Sequence, residues 1–345
     1  MVKNFQDSIT EKDEIPAFDK SGLEKFLLDG YDPELGWSRK PFTSGFEEGR
    51  YGTTMFRINE KGARFNPNYG SLQSKIFIYG DSFAMSRQVN DDETIAHYLS
   101  KLTQTNVLNF GVGNYGLDQS LLKMRRERFI NKTEIVIQAF VPEQILRVMS
   151  YWKHYLEYGN HFGFKPRFEF EDDRLKLISN IMDSKEKFNH LNELLPEIKK
   201  HDYWYENKFK KDFGVKYDFD QRMQSNLDLR IKSYQDEECL KTLIGVVELF
   251  KEDAVKEGFK PVVAILPYKN DVLFTKDSSN HYYNNFIEVC KNKLMTIDLM
   301  PFLLNLDDIG FYFSDDTRYG GHYSRHGNKV VAEIIFNQLK KEEVI

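Results

Sequence analysis

Short apolar runs that refuse to alternate constrain this chain more than any other feature. Lys75–Phe83 reads KIFIYGDSF, and Ile76 to Tyr79 form a β-favouring run without the every-other-residue polarity of a half-exposed strand. A strand covered on both faces of a parallel sheet has this signature. Similar runs recur at Asn106–Phe110 (NVLNF), Glu134–Phe140 (EIVIQAF) and Pro261–Leu266 (PVVAIL), with a shorter one at Met295–Leu299. Helix-like segments separate them. One carries Ile95, Leu99 and Leu102 on a single face behind the first-turn acids of Asn90–Glu93, and another runs from about Asp118 to Phe129. Others lie near Cys239–Lys256, Tyr282–Lys291 and Gly327–Leu339. Strand and helix in alternation predict an α/β fold, a three-layer α/β/α sandwich on a mainly parallel five-stranded sheet.

Two regions fall outside that alternation. Residues 1–70 hold a short helical stretch at Leu23–Leu28 and then many turn formers, with Trp37 among them and strands expected at Thr53–Ile58. They read as an extension packed on the core. The segment at about 150–234 is too long for one connection and carries a hairpin pattern at Pro166–Leu177. It reads as an insertion in an α/β domain spanning 71–345.

Composition excludes more than it selects. A net charge of −5 and a pI near 6.0 leave no basic surface for nucleic acid. The densest basic run, Lys123–Arg128, reads as a solvated helix face. Cys239 and Cys290 lack metal-type spacing and read as reduced structural residues. No apolar run reaches the roughly 18 residues of a membrane span, so the expectation is a cytoplasmic protein without a cofactor or a metal. His322 and His326 sit at helical spacing, but the glycines around them place the helix start after His322 and argue against a shared ligand face.

Chemistry enters where the strands end. Ligands of open α/β sheets bind beyond the carboxyl ends of the strands, where Gly80-Asp81-Ser82 follows the first run. A turn alone accounts for these three residue types. Acyl transfer, however, needs a nucleophile, a base and donors aimed at an oxyanion. Ser82 offers a solvent-facing hydroxyl, His322 a base ahead of the last helix, and the turns after the second and third strands the donors.

In GDSF (Gly80–Phe83), NFGVGNYG (Asn109–Gly116), VPEQ (Val141–Gln144) and GGHYSRHGN (Gly320–Asn328), the chain resembles the GDSL/SGNH hydrolases, a family of serine esterases and acyltransferases. The blocks stand in the family's order over roughly residues 72–150 and 235–340. YDPELGW and INEKGAR resemble what precedes the first block in some bacterial members with an N-terminal extension. The resemblance implies a flavodoxin-like sheet, Ser82 as nucleophile and His322 as base. It implies an oxyanion hole from the amides of Ser82 and Asn114, with Gln144 as a further donor. Asn114 stands where the family has glycine, and Asn tolerates the left-handed backbone that position needs.

Two departures follow. Glu143 or Gln144 replaces the third block's asparagine, and the aspartate expected just before the histidine falls on Tyr319 or Gly320. Asp315 or Asp316, with Glu143 as the outside choice, is then the candidate to orient His322; a backbone carbonyl or a bare Ser–His dyad is the alternative. Asp81, Glu143 and Arg147 are candidate substrate contacts. The implied substrate is a small-molecule or carbohydrate ester carrying a small O-acyl group such as acetyl. The competing reading is a binding or scaffolding protein that keeps the fold without turnover.

Overall fold

A computed structural model describes residues 8–128 and 133–345. Its central sheet holds five parallel strands: β1 (Ser74–Gly80), β2 (Asn106–Asn109), β3 (Ile135–Phe140), β4 (Lys260–Ile265) and β5 (Met295–Asp298). The spatial order is β5-β4-β3-β1-β2. The winding therefore reverses between β1 and β3, the kind of switch point that opens a crevice beyond the strand ends. Helices flank the sheet, giving the α/β/α sandwich.

The register explains the missing alternation. Phe77 lies opposite Leu108 of β2 and Val136 of β3, while Ile137 lies opposite Val262 of β4. Every residue of β2 and β3 is buried, as are Ile76 to Gly80 of β1. Sheet positions on both faces therefore select apolar side chains, each contributing roughly 1.5–3 kcal/mol by leaving water.

Two local expectations change. The acids before the second helix form a 3₁₀ turn of their own, Asp91–Glu93, and Thr94 caps Ile95–Thr103 through Oγ1, 3.0 Å from the His97 N–H. Asp91 faces inward instead, accepting from Arg57 Nε at 2.8 Å and from Arg64 Nε at 3.2 Å. The helix Leu117–Arg128 is not a solvated basic face either, and the expected end at Phe129 lies outside the described residues. Lys123 is buried with its Nζ 3.2 Å from Glu127, and Arg125 pairs with Asp253 at 2.7 Å. This helix packs on β1 and β3, so its lysine stem fills core space and its charge is met locally.

The described residues fall into two compact units. One gathers those of Met1–Ser38 and Ile145–Leu243; the other, Arg39–Gln144 with Ile244–Ile345, holds the sheet. In the first, helix Lys20–Asp29 starts at Asp19, whose Oδ2 accepts the Gly22 N–H at 2.7 Å, and stacks Phe26 on Phe162 with ring centroids 5.3 Å apart. Its hairpin pairs Arg167–Glu171 with Arg174–Ile178, antiparallel, and the fully buried Asp202 accepts the N–H groups of Tyr151, Trp152 and Trp204. In the second unit, Ser44–Gly49 and Gly52–Arg57 form another antiparallel hairpin. No helix among the described residues is long and apolar enough to cross a membrane.

Candidate active site

Strand β1 delivers the GDS turn to the crevice. Gly80 has φ 151°, and a Cβ there would lie 1.8 Å from the Ala139 carbonyl oxygen on β3. Only glycine lets the strand end approach that closely. Asp81 is fully buried and caps the four-residue helix Ser82–Met85, its Oδ1 accepting the Phe83 N–H at 2.8 Å. Its Oδ2 accepts the Val141 N–H at 3.2 Å and the Gln144 Nε2–H at 3.0 Å. Asp81 thus ties the exit of β1 to the exit of β3, fully buried where a substrate contact was expected. Ser82 itself is 6% exposed, buried where a solvent-facing hydroxyl was expected.

The turn after β2 closes against this one. Asn109 donates through Nδ2 to the Ala84 carbonyl at 2.7 Å, and the Val112 N–H reaches the Gly80 carbonyl at 3.1 Å. Asn114 is exposed with φ 64°, the left-handed conformation its place in the motif requires. After β3, Gln144 gives one amide hydrogen to Asp81 and the other to the Tyr115 carbonyl, 3.1 Å away. An amide with both hydrogens on the protein has none left for an oxyanion. Its Oε1 is buried with no hydrogen-bond partner among the described residues. Glu143 accepts the Tyr268 hydroxyl at 2.8 Å, and the Tyr268 ring meets Phe83 edge-on at 4.9 Å. Arg147 is buried and belongs to the other unit.

His322 arrives from the far end of the chain, on the loop ahead of helix Arg325–Lys341, which Ser324 caps. Its ring lies 4.9 Å from the Phe83 ring, beside the GDS turn, and the next residue, Tyr323, covers Phe83 from another side at 5.0 Å. Burial holds the Tyr323 phenol well above its ordinary pKa, so it stays protonated and donates to the Pro267 carbonyl at 2.8 Å. His326 is in the helix, stacked on Phe311 at 4.3 Å, and shares no face with His322.

The Nδ1 of His322 lies 2.7 Å from Gln88 Oε1. The same oxygen accepts the His322 backbone N–H at 3.1 Å and the Ser314 hydroxyl at 2.8 Å, while Gln88 Nε2 donates to the Glu48 carbonyl at 3.0 Å. The carboxylates expected here are engaged elsewhere. Asp315 Oδ1 accepts the Thr317 N–H at 2.9 Å and the Thr317 hydroxyl, closing its own turn. Asp316 pairs with Arg50 at 2.8 Å, its side chain 86% exposed.

Sequence reasoning missed Gln88, since a neutral amide in a turn carries no charge pattern or motif. The signal that bears on it is Arg64, in the INEKGAR stretch. Arg64 is buried at 3% exposure and donates to the carbonyls of Met85, Ser86 and Val89 and to Asp91. Burial pulls its pKa down and Asp91 opposes that shift. The turn wraps the guanidinium, with Ser86 at φ 59° and Gln88 at φ 65°, and this conformation presents Gln88 to the histidine.

No family model matches the chain, and no curated protein matches it. Solved structures do resemble it. A member of the lipolytic protein G-D-S-L family from Veillonella parvula matches at 11% identity and TM-score 0.41, covering 76% of this chain and 97% of its own. An acetyl xylan esterase matches at 13% identity and TM-score 0.40, covering 76% and 98%. A lipase/acylhydrolase from Enterococcus faecalis matches at 12% and 0.36, covering 79% and 97%. Likenesses this loose leave the chemistry to the chain's own residues.

Proposed function

We propose that this protein is a serine ester hydrolase or O-acyltransferase acting on small O-acyl groups, acetyl groups on a carbohydrate among them. The observation that carries the reading is the seating of the His322 ring on Phe83, the neighbour of Ser82, at the carboxyl end of β1. Ser82 Oγ attacks the acyl carbonyl carbon, its proton passes to His322, and the carbonyl electron pair moves onto oxygen. Collapse of that intermediate returns the proton to the departing alkoxide and leaves the acyl group on Ser82. Water or an acceptor hydroxyl then takes the acyl group by the reverse sequence. The amides of Ser82 and Asn114 are the oxyanion donors in this reading.

The engaged amide of Gln144 and the burial of Ser82 favour the rival reading, a binding protein on the same fold. Labelling by a fluorophosphonate probe separates the two, because only an activated serine reacts. Labelling of the native protein that Ser82→Ala abolishes, with Tm nearly unchanged, is the expected result. An unlabelled native protein would leave the binding role.

A further inference from the structure

We infer that Gln88 is the positioning residue of the site: a neutral amide oxygen, in place of a carboxylate, fixes the tautomer and orientation of His322. This rests on the Ser82–His322 reading above.

The tautomer follows from hydrogen-bond inventory. A backbone N–H can only donate, so the Gln88 atom facing the His322 N–H is the amide oxygen and not the nitrogen. The Ser314 hydroxyl on the same oxygen and the Glu48 carbonyl on Nε2 fix the amide in that sense from both ends. An acceptor-only oxygen 2.7 Å from Nδ1 requires the proton on Nδ1. The lone pair is then on Nε2, as a base toward a serine hydroxyl needs. An amide free to turn would offer its N–H₂ group and impose the wrong tautomer, the fault that makes an Asp→Asn change so damaging in serine proteases. Here the backbone of His322 forbids the turn. Papain-like enzymes use an amide beside a catalytic histidine in a comparable role.

The support behind Gln88 is as deliberate. Its backbone N–H is held by Glu47 Oε2 at 2.9 Å, and Glu47 in turn pairs with Arg87 at 2.7 Å. The Arg64 guanidinium grips the carbonyls on either side. What the amide cannot supply is a negative charge, so the imidazolium formed during attack gains a hydrogen bond but no ion pair.

The test measures kcat and KM against pH on a short aryl acetate, with fluorophosphonate labelling and thermal melts, for the full chain and for Gln88→Leu and Gln88→Glu. Gln88→Leu is expected to lower kcat about 100-fold or more with KM within about threefold, the scale of lost general-base catalysis. Gln88→Glu keeps an acceptor at Nδ1. It is expected to retain kcat within about tenfold and to move the acid limb of kcat/KM up by about one pH unit or more, because a carboxylate there favours the imidazolium. Among the described residues, the other titratable groups around the histidine loop are Asp315 and Lys269 across Gly320–Gly321, Glu47 and Arg87 behind Gln88, and Asp81, Glu143 and Tyr268 around Phe83. All are unchanged in both variants, so the shift reads position 88. If Gln88→Leu melts early, the retained activity and shifted limb of Gln88→Glu decide. A Leu variant as active as the native protein, or a Glu variant as impaired as Leu with an unmoved limb, overturns the assignment of Gln88 alone. A native protein that neither labels nor turns over the ester overturns the serine chemistry and the relay with it.

Discussion

Gly111 lies directly against Met85: a Cβ on the glycine would stand 2.4 Å from the Met85 amide nitrogen. The Asp81 carbonyl oxygen would be 2.9 Å away on another side. Both obstacles are backbone, so nothing yields cheaply. Gly111→Ala is therefore expected to cost about 3 kcal/mol, the upper end of the usual range for overpacking a core. Urea denaturation of the purified variant checks it, and a native midpoint would refute the close approach of the two turns.

Arg64→Met removes the cation at the centre of the turn. Asp91 keeps Arg57 as a partner, but the carbonyls of Met85, Ser86 and Val89 lose their donor in a buried place. A loss of about 3 kcal/mol is expected, with kcat falling at least about tenfold as Gln88 loosens. Chemical denaturation and steady-state kinetics on one preparation check both.

Asp315→Asn and Asp316→Asn are each expected to change kcat by less than about tenfold, some 1.4 kcal/mol. An asparagine at 315 can still accept from Thr317, and Asp316 is itself exposed in its pair with Arg50. A loss of several orders of magnitude in either variant would make that carboxylate, and not Gln88, the partner of His322.

The pH dependence of stability has a contributor in the other unit. His154 Nε2–H donates to the Asp13 carbonyl at 2.7 Å, and Nδ1 accepts the Gly159 N–H at 3.4 Å. Burial pushes its pKa down to about 3, against 6.5 as the ordinary value. The unfolded chain therefore binds this proton first. The stabilisation is fully present above pH 6.5 and is lost as pH falls towards 3. Between pH 6.5 and 4.5 the native protein should lose up to about 1.4 kcal/mol per pH unit more than His154→Gln. Parallel stability curves for the two would show that His154 is not held neutral.

Much of the architecture was legible because burial on both faces of a parallel sheet writes itself into local sequence. Phe77, Ile137 and Val263 share one sheet as their runs predicted, and Asn114 takes the left-handed backbone its block requires. Side-chain partners were less legible. Lys123 looked solvated because charge normally marks a surface, and only the packing of its helix on β1 and β3 explains its burial. Ser82 looked exposed because turns usually are, but it is buried at the end of β1. Gln88 was invisible for a different reason: its contact with His322 spans 234 residues, and an amide gives no electrostatic clue.

That span has a consequence for how such chains can diverge. Ser82 and Gln88 ride on one turn, held by Arg64, while the loop at Gly320–Ser324 contributes His322. Positions 319 and 320 are thereby released from supplying an acid, and Gly320 can serve its tight bend at φ 78° instead. On the proposed role of Gln88, a relative with an aspartate there would not need that amide, so identities at the two places should exchange as a pair. Transplanting the histidine loop by itself into a scaffold without that turn would carry His322 over and leave Gln88 behind.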